Sequence, residues 1–274
     1  MGILSNNLIQ VARITKGLYK KIIESVYYFI FLKKHLIIKD YERSELVSLV
    51  INKSLKFSDQ IQVSKSIPIT SLRTILPFAL GKFPQEIKVL DFGGAGGQSY
   101  TEAKYFFPEI DFKWIVLDTK SMVKAAKIAG LESDTLMFVE NFSDVDKYKI
   151  DLVIASSSLQ YTNDPIGFLA KISNLGARYI YISRAPLSDN EFASIKQVSN
   201  LSDNGPQIDD KDTLILDGKV QVLAQIVPRF IFERNIELLY SIKCRIVEGR
   251  HSFTGSGKSY DMFGYFCEAK PFQD

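Results

Sequence analysis

The chain opens on a helical rhythm. Leu8, Val11, Ile14, Leu18, Ile22, Val26 and Phe29 recur at three- and four-residue spacing with lysines among them, which predicts an amphipathic helix over 6–34. Similar patterning predicts a second helix over 41–55. A third is expected over 70–80, kinked at Pro77 and closed by Gly81 and Pro84. At Glu86 the pattern changes to short apolar runs. Those at 87–92, 112–117, 135–139, 151–155 and 177–183 predict strands, and 98–107, 121–129 and 165–175 predict helices among them. Strands alternating with helices at this spacing indicate a parallel sheet covered on both faces. Right-handed crossovers make it doubly wound.

Beyond the fifth strand the pattern weakens. Residues 186–218 are rich in Asp, Asn, Ser and Gly and predict a polar loop, a cover over a site or a disordered insert. A strand follows at 219–226, a helix at 234–240, and a closing pair of strands at 242–247 and 261–269. The expected fold is α/β: a doubly wound Rossmann-like sheet, mostly parallel, with an antiparallel closing strand and an N-terminal helical extension. The expected boundaries are 1–82 for the extension and 83–274 for the sheet domain, with the polar insert around 186–218.

Composition narrows the partners. With 274 residues, 46% of them hydrophobic, the chain can bury a core without metals or disulfides. A net charge of +3 is too weak a bias to imply nucleic acid. Cys244 and Cys267 make neither a disulfide framework nor a zinc cluster, and they fit free thiols in a reducing cytosol. His35 and His251 cannot build a multi-histidine site, so no metal is expected. The opening MGILSN lacks a secretory n-region and cleavage site, so a cytoplasmic location is expected. The apolar run Val26 to Leu32 is far short of the roughly 20 residues that a membrane span needs. The basic, aromatic first helix leaves three uses open: covering a site, forming a homodimer, or peripheral contact with a membrane.

The chemistry concentrates after the first strand. Val89-Leu90-Asp91-Phe92 runs directly into Gly93-Gly94-Ala95-Gly96-Gly97. Side chains are missing where a ligand must approach the backbone. In an open α/β sheet, ligands bind at the carboxyl ends of the strands, at the topological switch point. Asp118 ends the next strand, roughly 20 positions on, where an acid accepts hydrogen bonds from ribose hydroxyls. Together these point to a ligand containing a nucleoside. A dinucleotide fingerprint is incomplete, because Ser99 stands where its third glycine belongs. Asp91 would also set a negative charge near a pyrophosphate, and it suits a ligand with an ammonium or sulfonium group. No Walker A loop is present; Gly257-Lys258-Ser259 reads as a polar turn.

The segment Leu90 to Gly97 resembles the first motif of class I S-adenosylmethionine-dependent methyltransferases, Asp-x-Gly-x-Gly-x-Gly. Asp91, Gly93 and Gly97 match, Gly94 lies between them, and Ala95 replaces the middle glycine. The resemblance implies S-adenosylmethionine as cofactor and Asp118 as its ribose acid. It also implies an adenine contact at Asn141, where Asp is commoner, a cofactor contact at Ser156, and a methyl-transfer pocket lined by Ser156 to Tyr161. Leu-Asp-Phe-Gly-Gly, Ser157 to Tyr161 and Ile182 to Leu187 are more narrowly similar to a little-characterised bacterial methyltransferase family. Its members are often associated with surface-polysaccharide gene clusters. The expected acceptor is therefore a small polar molecule, such as a sugar or sugar nucleotide, with O-methylation favoured.

Three residues are candidates for the chemistry. Tyr161 follows the fourth strand at the pocket mouth. Arg184 ends the fifth strand, where its planar fork suits a phosphate or carboxylate. His251 is the candidate general base, histidine being the residue type most often used in that role. Two other readings stay open: a non-catalytic binding protein of the same fold, and an NAD-dependent oxidoreductase.

Overall fold

The computed structural model describes residues 40–64, 68–208, 218–254 and 256–271. The chain divides into two compact units, Met1–Ile37 and Ile38–Asp274, and every described residue belongs to the second. The helix expected over 6–34 lies outside the described residues.

Five strands form a parallel sheet: β1 (Glu86–Phe92), β2 (Asp111–Leu117), β3 (Leu136–Val139), β4 (Leu152–Ser156) and β5 (Tyr179–Ser188). Their order is β3-β2-β1-β4-β5. The chain first lays β2 and β3 to one side of β1, then returns to lay β4 and β5 on the other. The strand order therefore reverses between β1 and β4, which makes their carboxyl ends the switch point. Two strands close the far edge in the antiparallel sense expected. β9 (Lys258–Ala269) pairs along β5, and β8 (Tyr240–Phe253) pairs along β9. A hairpin of β6 (Ala193–Asn200) and β7 (Lys219–Pro228) joins the sheet where β7 meets Leu187 and Ser188.

Six helices are described: α1 (Ser44–Ser64), α2 (Leu72–Leu80), α3 (Gln98–Phe106), α4 (Lys120–Ile128), α5 (Pro165–Asn174) and α6 (Arg229–Ile236). Alternation along the strands supplies two core layers, because successive side chains point to opposite faces. Val89, Trp114, Val116 and Ile154 face α1, α3 and α4, where Leu46, Val50, Ala103 and Val123 meet them. Leu90, Ile115, Leu117 and Val153 face the other layer with Leu169 and Ile172 of α5 and Phe232 and Ile236 of α6. The helices α1 and α2 thus share one core with the sheet.

Several elements differ from their sequence-based expectation. The polar stretch from 186, expected to be a loop, continues β5 to Ser188 and then forms β6. Only Ile195 of β6 is buried, so its apolar alternation is too sparse to show in the sequence. Its order comes from the eight-residue register with β7. The helix expected at 234–240 runs instead over Arg229–Ile236. Phe232 and Ile236, four residues apart on one face, carry its burial, while Tyr240 already begins β8. Helix α2 is continuous through Pro77. Cys244 is half-buried, Cys267 is buried, and both are free. Among the described residues no His, Cys, Asp and Glu group could hold a metal, and no helix is long and apolar enough to cross a membrane.

Candidate functional site

A cavity of about 630 Å³ opens over the carboxyl ends of β1, β4 and β5. This is within the usual size of a small-molecule site. Among the described residues, three that are not glycine have positive φ: Ala95 (51°), Ser157 (55°) and Arg184 (54°). Ala95 follows β1, Ser157 follows β4, and Arg184, expected to end the fifth strand, lies within β5 because pairing continues to Ser188; all three line this cavity. A left-handed conformation costs a side-chain-bearing residue roughly 1–2 kcal/mol. Such strain persists where the surroundings over-determine it, typically at functional sites.

The glycine loop forms one wall. Gly93 is left-handed at φ 72°, and a Cβ there would stand 2.5 Å from the Ser158 Cβ. A Cβ on Gly94 would stand 2.5 Å from the Asp91 carboxylate, and one on Gly96 would stand 2.2 Å from Ser54 Oγ. The loop therefore lies flat against its surroundings, with its backbone presented to the cavity. Gly97, also left-handed at φ 81°, caps α3 and lies outside the cavity wall.

Asp91 lines the cavity yet is only 2% exposed. Trp114 Nε1 donates to its Oδ2 at 3.3 Å. Among the described residues no cation forms an ion pair with it. Burial pushes the carboxyl up to about 7, the Trp114 donor pulls it back, and the Asp118 charge raises it again. Glu102, 1% exposed, joins the same region of wall. It accepts from Ser71 Oγ at 2.7 Å, from Gln98 Nε2 at 2.8 Å and from Thr74 Oγ1.

Asp118 directly follows β2 but lies outside the cavity wall. Its Oδ2 accepts from the Ala95 backbone N–H at 2.9 Å, and its Oδ1 accepts from the Thr119 backbone N–H at 2.7 Å. Burial raises its pKa and the two backbone donors lower it, with a net shift upward. A carboxylate offers about four lone-pair sites, so two bonds leave acceptor capacity for hydroxyls. Asn141 precedes a short 3-10 turn, is exposed, and also lies outside the wall. Ser156 ends β4, lines the cavity, and exchanges a hydrogen bond with Ser183 Oγ at 2.7 Å.

The opposite wall carries Arg184. Its delivery depends on an irregularity in β5: the pairing with β9 slips between Ile182 and Ala185. Such bulges re-aim side chains and are common beside active sites. A second slip, between Val247 and Arg250, interrupts the pairing of β8 with β9. Glu248 sits there and reaches across β9 at Gly264, where a Cβ would stand 2.6 Å from its Oε1. Oε1 accepts the Arg184 backbone N–H at 3.0 Å, and Oε2 accepts from Arg73 Nε at 3.0 Å. One carboxylate thus holds the strained backbone of Arg184 and the side chain of Arg73 together.

The remaining candidates are in place around the cavity. Tyr161 lines it, and its hydroxyl donates to Gln197 Oε1 of β6 at 2.8 Å. Tyr41 packs edge-on against the Tyr161 ring at 5.0 Å. Burial and then the neighbouring Tyr161 raise the Tyr41 hydroxyl pKa well above its ordinary value. His251 stands exposed on the rim, its ring 4.7 Å from that of Phe253. Sequence reasoning missed Tyr41, Arg73, Glu102 and Glu248. None carries a local motif, and each reaches the site only through tertiary packing. The strand β6 and the following turn, from the stretch expected to be a loop, cover one side.

No family model matches the chain, and no curated protein matches it. Among solved structures, the chain is similar to the 1,6-didemethyltoxoflavin-N1-methyltransferase of Burkholderia thailandensis, with 1,6-didemethyltoxoflavin and S-adenosylhomocysteine bound. The identity is 12%, the match covers 87% of this chain and 93% of the other, and the TM-score is 0.47. It is also similar to an S-adenosylmethionine-dependent methyltransferase from Clostridium acetobutylicum, at 11% identity, 77% and 96% coverage and a TM-score of 0.46. A third similar structure is human N-acetylserotonin methyltransferase in complex with S-adenosylmethionine, at 19% identity, 77% and 55% coverage and a TM-score of 0.41.

Proposed function

We propose that the protein is an S-adenosylmethionine-dependent methyltransferase acting on a small polar acceptor, with O-methylation of a sugar or glycan precursor favoured. The observation that carries this reading is Asp91: a buried carboxylate with no ion-pair partner among the described residues, beside a flat glycine loop at the switch point. Burying a charge without a partner is expensive. A ligand bearing an ammonium group would supply the missing cation. The left-handed loop presents its backbone to the cavity, and the acid after β2 stands behind it, bonded to Ala95, in the place of a ribose-binding acid. NAD fits less well, because its pyrophosphate would meet the Asp91 charge.

The residues divide into two groups. Asp91, Gly93, Gly94 and Ala95 would hold the amino-acid end of the cofactor, and Asp118 its ribose. When bound, the cofactor supplies an activated methyl group on a sulfonium. Ser156, Tyr161 and Arg184 stand beyond the loop and would position the acceptor, since methyl transfer depends chiefly on alignment. His251 on the rim is the candidate for taking the proton from an acceptor hydroxyl.

Calorimetry with S-adenosylmethionine, S-adenosylhomocysteine and NAD tests the reading. Binding of the two sulfur ligands without NAD is expected. Binding of NAD alone at millimolar concentration would overturn it. Incubation with methyl-labelled cofactor and a panel of sugar nucleotides then separates enzyme from binder, since only an enzyme transfers the label.

A further inference from the structure

The charges on the acceptor side of the cavity do not balance. Arg184 and Arg73 line it, and Glu248, outside the lining, holds both from behind: two cations and one anion. Glu248 accepts from the Arg73 side chain but only from the backbone of Arg184. Among the described residues the Arg184 guanidinium makes one hydrogen bond, from an Nη to Ser156 Oγ at 3.2 Å. Its Nε is shielded from solvent and has no partner among the described residues. Among the described residues no carboxylate forms an ion pair with it. A guanidinium has five N–H donors, and a fork with one edge open matches a carboxylate or phosphate.

Arg184 is also held in place against a cost. It sits in a bulge at positive φ, which is unfavourable by roughly 1–2 kcal/mol. Leaving a charge half-buried without a counter-ion adds a further penalty. A surface arginine would escape both by relaxing the strand. Here Glu248 pins the backbone N–H, and Gln160 Nε2 approaches the carbonyl at 3.4 Å.

We propose that Arg184, seconded by Arg73, forms an anion subsite that recognises a phosphate or carboxylate group on the acceptor. Assigning the anion to the acceptor rests on the methyltransferase reading. The position supports it: β5 is two strands from β1, about 10 Å from the glycine loop. The ribose acid Asp118 lies on the opposite side of β1.

The test is a titration of the whole protein, saturated with S-adenosylhomocysteine, with inorganic phosphate and separately with acetate. Wild-type protein is expected to bind at least one of these anions together with S-adenosylhomocysteine. Arg184→Gln should weaken anion binding at least tenfold and leave S-adenosylhomocysteine affinity within about twofold. Arg184→Lys keeps the charge but loses the fork, and should give an intermediate affinity; thermal melting checks that both variants fold. Failure of wild-type protein to bind either anion would overturn the proposal, as would equal anion affinity in wild type and Arg184→Gln. Competition between the anions and S-adenosylhomocysteine, with loss of both in Arg184→Gln, would also overturn it, because the arginine then holds the cofactor's own carboxylate. Arg184-dependent anion binding in a protein that never binds S-adenosylhomocysteine would uphold the anion subsite and sink the methyltransferase reading.

Discussion

Asp91 offers a quantitative test, because its burial gives stability a definite pH dependence. An ordinary aspartate titrates near ~3.9. Asp91, 2% exposed and pushed up chiefly by burial, titrates at about 7. At about 1.4 kcal/mol per pH unit, its ionised form costs the folded protein about 4 kcal/mol. Between those two pH values the folded protein keeps a proton that the unfolded chain has lost. The stabilisation from the neutral carboxyl is therefore complete below ~3.9 and is lost as pH rises through about 7. Asp91→Asn cannot ionise and still offers an acceptor to Trp114 Nε1. Its stability relative to wild type should rise by about 3 kcal/mol from about pH 4 to pH 7 and level off near ~4 kcal/mol above about pH 8. Urea denaturation of both proteins across this range measures the difference. A constant difference would refute the reasoning, since any packing effect of the amide does not change with pH. The same carboxyl couples to the ligand: binding a cation near it should release roughly 0.9 proton at pH 6 and about 0.1 at pH 8. Calorimetry in buffers of different ionisation enthalpy reads this directly.

Three further outcomes are expected. Asp118→Ala should weaken S-adenosylhomocysteine binding by about 1–3 kcal/mol, the scale of hydrogen bonds to a charged acceptor, and an unchanged calorimetric affinity would remove Asp118 from the site. Ala95→Gly relieves a residue held at φ 51°, and its net effect should be a gain of roughly 0.5–1 kcal/mol once the extra flexibility of glycine is subtracted; a lower melting temperature would contradict the strain. Cys267 is buried, and burial pushes its thiol up to about 12, so a thiol reagent should label only Cys244 in the native protein and both after unfolding, whereas two fast thiols would show that the β8–β9 edge opens.

Much of the cofactor side was legible in the sequence. The strand–glycine–helix passage and the acid ending the next strand are local patterns, fixed by which residues tolerate a sharp turn and a close backbone approach. They led to Asp91, Gly93, Gly94 and Ala95, which line the cavity, and to Asp118, which stands behind the loop bonded to Ala95. The departure at Ala95 acquired its meaning only in the structure: the position takes the left-handed conformation that glycine favours, and Ala occupies it under strain. The acceptor side was much less legible. Tyr161 and Arg184 stood out by their place after strands, but nothing near Arg184 in sequence announces a bulge. Glu248 and Arg73 are separated by 175 positions and meet only because β9 lies between β5 and β8 with a glycine at the crossing.

The sequence alone determined the alternation of strands and helices, the two-sided core and the loop at the end of β1. Each of these depends on periodicity or on backbone freedom within a few residues. The tertiary structure alone decided that the polar stretch after β5 pairs as a strand, that helices α1 and α2 complete the core, and that one carboxylate holds both the Arg73 guanidinium and the Arg184 backbone. Strand pairing, burial and charge balance are set by groups that are distant in the chain, and only folding brings them within reach of one another.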